Sequence, residues 1–244
     1  MTNFGCWFDI PSPFIAEMIG VAGYDFCVID LEHGPMSLET ATLSLMALEA
    51  APTMPIVRVT EGTEGQIKRA LDAGAKGVMV PRVETPMQAE AMVEFFRYPP
   101  RGIRGSAQSV IRASGYGLNA QAYTKSFAEQ HLLALQIESV AGFAAREAIA
   151  ATDGVGMLFF GPADYAASLG VPIDHEEVLR AAKAVAGCAA SHGLLAGTVL
   201  FPGSTPAVLA AAGMTHISVA GDIGVLMSGL TQALSAAREE TDGQ

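Results

Sequence analysis

The chain has 244 residues, half of them apolar and only 16% charged, a composition that fills one large buried core and is far from that of a disordered segment. A net charge of −11 argues against nucleic acid as a partner, because phosphate binding needs Lys/Arg patches that are missing here. No uninterrupted apolar run reaches the roughly 18 residues of a membrane span. The start, MTNFGCWFDIPSP, has no basic stretch followed by an apolar one, so no membrane partner is expected and the expected compartment is the cytoplasm.

Short apolar or β-branched runs alternate with stretches of helical period. The expected strands are Gly5–Phe8, Phe26–Asp30, Ile56–Arg58, Gly77–Val80, Leu132–Ile137, Met157–Phe160, Leu194–Thr198 and Ile217–Val219. The expected helices are Pro13–Val21, Leu38–Glu49, Glu64–Asp72, Pro86–Phe95, Gly142–Ala151, His175–Ser191, Thr205–Ala212 and Ile223–Arg238. Near-continuous apolar strands separated by helices belong to a parallel sheet covered on both faces. Eight such units predict a closed α/β structure, a single (β/α)8 TIM barrel, and no linker divides residues 1–244 into further domains. Gly23, Gly74, Gly154, Gly193 and Gly213 each precede a strand and read as helix stops. One stretch, 97–130, crowds Pro, Gly and Arg and is expected to be irregular and functional. Cys6, Cys27 and Cys188 have no CxxC spacing and read as small buried apolar residues.

In such a barrel, chemistry sits at the C-terminal ends of the strands. Of five histidines, only His33, in IDLEHGP, falls there; His131 and His216 start strands, and His175 and His192 lie near helix ends. Asp30, Glu32 and His33 crowd one strand end. Arg58 ends an apolar strand and needs a partner, either Asp30 or Glu32 in an ion pair or an anionic substrate. Glu138 and Asp164 follow the fifth and sixth strands. Each can be an ordinary helix-start acid, but neighbouring strand ends converge, and two close carboxylates favour a shared proton or cation. With water and substrate oxygens they suit Mg2+ or Mn2+; Co2+ and Zn2+ stay open. Lys68, Lys76, Lys125 and Lys183 all fall elsewhere, which leaves no Schiff-base nucleophile. The turns FPGS from Phe201 and AGDIG from Ala220 are weak phosphate-binding candidates.

The phrases VIDLEHGP (28–35), IVRV (56–59), IKRALDAGAKGVMVPRV (67–83), RYPPRGIRG (97–105), LQIES (135–139) and GPADYAASLG (161–170), in this order over nearly the whole chain, resemble the HpcH/HpaI aldolases, the metal-dependent class II pyruvate aldolases. The resemblance implies reversible cleavage of a 4-hydroxy-2-oxo acid to pyruvate and an aldehyde. It implies His33 as base, Arg58 as the keto-oxygen donor, Glu138 and Asp164 as divalent-metal ligands, and Gln136 and the Gly161–Pro162–Ala163 turn as substrate contacts. It also assigns Asp72 to raising the basicity of the histidine. Asp72 ends a helix on the far side of its own barrel, so Asp30 competes for that role and Asp72 needs a subunit contact. Homohexamers, built as trimers of dimers with an exchanged C-terminal helix, follow from the same resemblance. The nearby rival is an acyl-CoA lyase like the citrate lyase β-subunit; a phosphosugar isomerase or a non-catalytic binding barrel stands further off.

Overall fold

The computed structural model describes residues 1–242. Eight parallel strands form a closed barrel in sequence order: β1 (Asn3–Phe8), β2 (Phe26–Asp30), β3 (Met54–Arg58), β4 (Gly77–Val80), β5 (Leu132–Ile137), β6 (Met157–Phe160), β7 (Leu195–Val199) and β8 (His216–Gly221). β8 closes on β1 with a shift of register between Gly5 and Cys6. The helices are α1 (Pro13–Val21), α2 (Leu38–Leu48), α3 (Glu64–Ala73), α4 (Pro86–Phe96), α5 (Ala120–Gln130), α6 (Val140–Ala150), α7 (Pro162–Leu169), α8 (Glu176–Ser191), α9 (Pro206–Ala211) and α10 (Asp222–Asp242). Among the described residues, no helix is long and apolar enough to cross a membrane.

Local chemistry sets these boundaries. Ser37, Thr63, Thr85, Ser139 and Thr205 each accept a hydrogen bond from a first-turn N–H of the helix that follows. The five helix-stopping glycines all have positive φ, Gly74 at 110° being the C-cap of α3. Alternate strand residues feed two cores. Phe26, Val28, Ile56, Met79, Met157 and Phe159 fill the barrel interior. The opposite side chains, Phe8, Cys27, Ile29, Val57, Leu133 and Phe160 among them, meet the helices in a second, larger cluster.

Two helices were absent from the expectation. α7 lies within GPADYAASLG, where Asp164 can be an ordinary helix-start acid but the helix itself, opened by Pro162 and stopped by Gly170, is not among the expected elements. α5 lies within the stretch expected to be irregular; AQAYTKSFAEQ is mostly polar and buries only Tyr123 and Phe127, so its pattern is faint. The rest of that stretch is held by Arg104, which is fully buried against the rings of Tyr98, Tyr123 and Phe127 and donates to Asp72 at 2.7 Å.

α10 is unlike the others. Ile223, Val225, Leu226, Met227, Leu230 and Leu234 are 48–62% exposed, an apolar face left uncovered among the described residues.

The tightness of the barrel interior is testable at Gly5, where an added Cβ would lie 2.3 Å from the buried Phe26 ring. Gly5→Ala is expected to lower stability by about 1–3 kcal/mol, the usual cost of overpacking, in urea unfolding.

Candidate active site

The site begins with a pair of neighbouring strand ends. Asp30 and Arg58 are partners in the β2–β3 register, so both side chains leave the barrel together at its C-terminal rim. Arg58 Nε donates to Asp30 Oδ1 at 2.9 Å and Nη2 donates to Oδ2, a bidentate fork that is almost wholly buried. Trp7, from β1, donates its indole N–H to Asp30 Oδ2 at 3.0 Å and lies under the guanidinium, 4.8 Å from ring centroid to Arg58 Cζ. Burial alone would raise the Asp30 carboxyl. The hydrogen bonds and charge of Arg58, with Trp7 and the Glu32 N–H, reverse this and hold it at about 2. Arg58 Nη1 also stands 2.8 Å from Glu32 Oε2, a charge contact without hydrogen-bond alignment.

The second half comes from β5 and β6. Glu138 follows β5 and is 6% exposed. Its Oε1 accepts from the Arg82 backbone N–H at 2.7 Å and its Oε2 from Gln136 Nε2 at 2.8 Å. Burial, then the charge of Asp164, push Glu138 from the usual 4.5 to about 7. Gly161, the residue before α7, lets the carboxylate approach; a Cβ there would sit 2.6 Å from Glu138 Oε2. Pro162 opens α7 and Asp164 lies in its first turn, so the free N–H groups of Ala163 and Asp164 point out of a positive helix end. Glu138, Asp164, His33, Glu32 and Arg82 line one cavity of about 390 Å³ at the rim.

The donor set fits a hard divalent cation. Two carboxylates converge, one of them kept from ionising by burial and by its neighbour. Gln136 Oε1 is buried and accepts no hydrogen bond from the protein. A cation beside these oxygens would supply the charge that both observations call for.

His33 stands at the cavity with 68% of its side chain exposed, and its Nε2 is 3.8 Å from Glu32 Oε1. Neither expected partner touches the imidazole inside the protomer. Asp30 spends its oxygens on Arg58, Trp7 and the backbone N–H groups of Glu32 and His33. Asp72, at the end of α3, faces the opposite rim and pairs with Arg104. His131, half-buried just before β5, and His216, buried at the start of β8, stand at strand starts as expected, and burial pushes both down to about 4.

Several site residues escaped the sequence reading. Arg82 follows β4 with φ of 52°, a left-handed backbone that aims its N–H at Glu138, and no sequence pattern signals that conformation in an arginine. Asp9, just beyond β1, is pushed to about 7, first by burial and then by the charge of Asp30. Its position after a strand was the signal available. In the AGDIG turn, the Asp222 carboxylate itself accepts from the N–H groups of Asp9, Ile10 and Ile223.

The family profile described as HpcH/HpaI aldolase/citrate lyase matches residues 3–228. The chain belongs to this family. The hydroxypyruvate/pyruvate aldolase of Roseobacter denitrificans is 37% identical over 233 residues, covering 93% of this chain and 89% of that protein. The 5-keto-4-deoxy-D-glucarate aldolase of Shigella dysenteriae serotype 1 is 38% identical over 235 residues, covering 96% and 91%. Among solved structures, an HpcH/HpaI aldolase/citrate lyase family protein from Burkholderia cenocepacia J2315 superposes with a TM-score of 0.90 at 36% identity, covering 97% of this chain and 95% of that one. Within the family, both curated relatives bear aldolase names, which sets the acyl-CoA lyase reading behind the aldolase one.

Glu138 gives the site a signature in pH. Its pKa is raised on folding, so the folded state holds a proton that the unfolded chain releases; stability is fullest below about 4.5 and falls as pH rises to about 7. In chelator, Glu138→Gln is expected to melt with the wild type at pH 4.5 and to be more stable at pH 8, by on the order of a few kcal/mol. Thermal melts at the two pH values check this; a variant less stable at pH 8 would refute the strained carboxyl.

Proposed function

We propose that the protein is a divalent-cation-dependent aldolase that reversibly cleaves a 4-hydroxy-2-oxo acid to pyruvate and an aldehyde. The observation that carries this reading is the convergence of Glu138, Asp164, Arg58 and His33 on one rim of the barrel, with cation-fitting oxygens on one side and an exposed imidazole on the other. Glu138 and Asp164 would hold the ion, Mg2+ or Mn2+ by their hardness, and when bound it supplies Lewis-acid stabilisation of negative charge on the keto oxygen.

The chain's own residues do the rest. The N–H groups of Ala163 and Asp164, at the start of α7 behind Gly161 and Pro162, receive the substrate carboxylate. Gln136 orients Glu138 and keeps its carbonyl oxygen for the site. Arg58 is fixed by Asp30, so its remaining N–H groups are aimed before substrate arrives, and they offset the charge that grows on oxygen as pyruvate enolate forms. His33 takes the proton of the C4 hydroxyl as the C3–C4 bond breaks and returns one in the reverse direction. Asp72 is placed to reach a His33 only in a neighbouring copy. The uncovered apolar face of α10 supports such an assembly, a homo-oligomer in which that helix packs on another subunit.

Three results test the assignment. His33→Ala is expected to lower kcat by about 10²–10⁴-fold in pyruvate release from a 4-hydroxy-2-oxo acid with a much smaller change in KM; equal losses in both would remove His33 from the proton transfer. Arg58→Lys is expected to be nearly inactive, because a point charge cannot keep the Asp30 fork, and near-normal turnover would remove Arg58 from the mechanism. Addition of chelator should abolish pyruvate release, and Mg2+ or Mn2+ should restore it.

A further inference from the structure

A second group of metal-ligating side chains lies away from the candidate active site. Cys188 and His192 are four residues apart at the end of α8, so they share one face of its last turn and C-cap. Glu147, on α6, comes up beside them. The Cys188 sulfur, a His192 ring nitrogen and a Glu147 carboxylate oxygen all lie within 4.8 Å of one another, and His192 Nε2 is 3.2 Å from Glu147 Oε2. Among the described residues, this is the one group of three or more His, Cys, Asp or Glu side chains in so small a sphere.

We infer that Glu147, Cys188 and His192 form a structural site for a transition-metal ion of the zinc class, which ties α6 to α8. The ligand chemistry points to that class: a thiolate selects a softer ion, an imidazole suits zinc, and the carboxylate completes three protein ligands. Tetrahedral bonds of the usual lengths place such ligand atoms roughly 3.3–3.6 Å apart. The histidine–carboxylate pair, at 3.2 Å, is within about 0.1 Å of that spacing, and the sulfur lies within 4.8 Å of both. Burial is graded in a way that suits ion entry: Cys188 is 4% exposed at the base, while the His192 and Glu147 side chains are 29% and 59% exposed above it. Arg146 is the cation facing the group, with Nε 4.0 Å from Glu147 Oε1, the oxygen not turned to His192. Binding replaces the thiol proton with the ion, so occupancy rises with pH. Both helices end here, at the rim opposite His33 and Glu138, so the ion would brace the barrel and take no part in the reaction.

The test uses the full chain, freed of metal by chelator and titrated with Co2+. A thiolate–cobalt charge-transfer band in the near ultraviolet is expected in the wild type, removed by added Zn2+. It should be lost in Cys188→Ser and in His192→Asn, and should survive in the double variant Glu138→Gln, Asp164→Asn. Zn2+ is also expected to raise the Tm of that double variant, and to leave the Tm unchanged when Cys188→Ser is added to it. Absence of the band in the wild type, its persistence in Cys188→Ser, or its loss in the Glu138/Asp164 variant would each overturn the assignment. If Cys188→Ser fails to fold, His192→Asn carries the same comparison with the cysteine intact.

Discussion

The fork between Asp30 and Arg58 is the interaction on which the rest of the rim depends. An arginine at the end of an apolar strand cannot shed its charge, and a buried guanidinium without a partner is untenable. Strand register solves this by placing Asp30 directly beside it, and Trp7 closes the pair from β1. The pair is nearly neutral as a unit, so it sits in the barrel mouth without disrupting it. Its direction is then set by covalent geometry, which leaves the remaining N–H groups aimed toward Glu32 and the cavity.

Against that neutral unit, the other half of the rim carries an excess of negative charge. Glu32, Glu138 and Asp164 face one space, and burial pushes the first two upward, Glu138 to about 7. Arg82 is at the wall, yet its side chain is 76% exposed and turned to Glu84. The imbalance is therefore built in, and it is the physical reason for assigning a divalent cation to this place. The same imbalance explains Gly161: only a residue without Cβ lets Glu138 lie against the start of α7, where the helix end and both acids can serve one ligand.

Much of this was legible in the sequence because it rests on period and position. The eight strands, the glycine stops and the rule that barrel chemistry lies at the C-terminal strand ends were enough to bring His33, Arg58, Glu138 and Asp164 forward and to set His131 and His216 aside. What escaped depends on three-dimensional contact. α5 was hidden because its burial is confined to two aromatic residues, and α7, whose start at Asp164 was visible, because it is only eight residues long with three of them buried. The left-handed backbone of Arg82 follows from Glu138 demanding an N–H, which no local pattern encodes. The part Asp72 plays in its own protomer, holding Arg104 in an aromatic cage, became visible only when residues about thirty positions apart met.

The central claim is that this rim makes pyruvate enolate with the help of a divalent cation, whatever aldehyde it meets. The most direct measurement is hydrogen–deuterium exchange at the methyl group of pyruvate, followed by NMR in D2O with Mg2+ or Mn2+ and again after chelation. The account predicts exchange that depends on enzyme and on metal and stops with chelator. Absence of enzyme-dependent exchange with any divalent ion would contradict it.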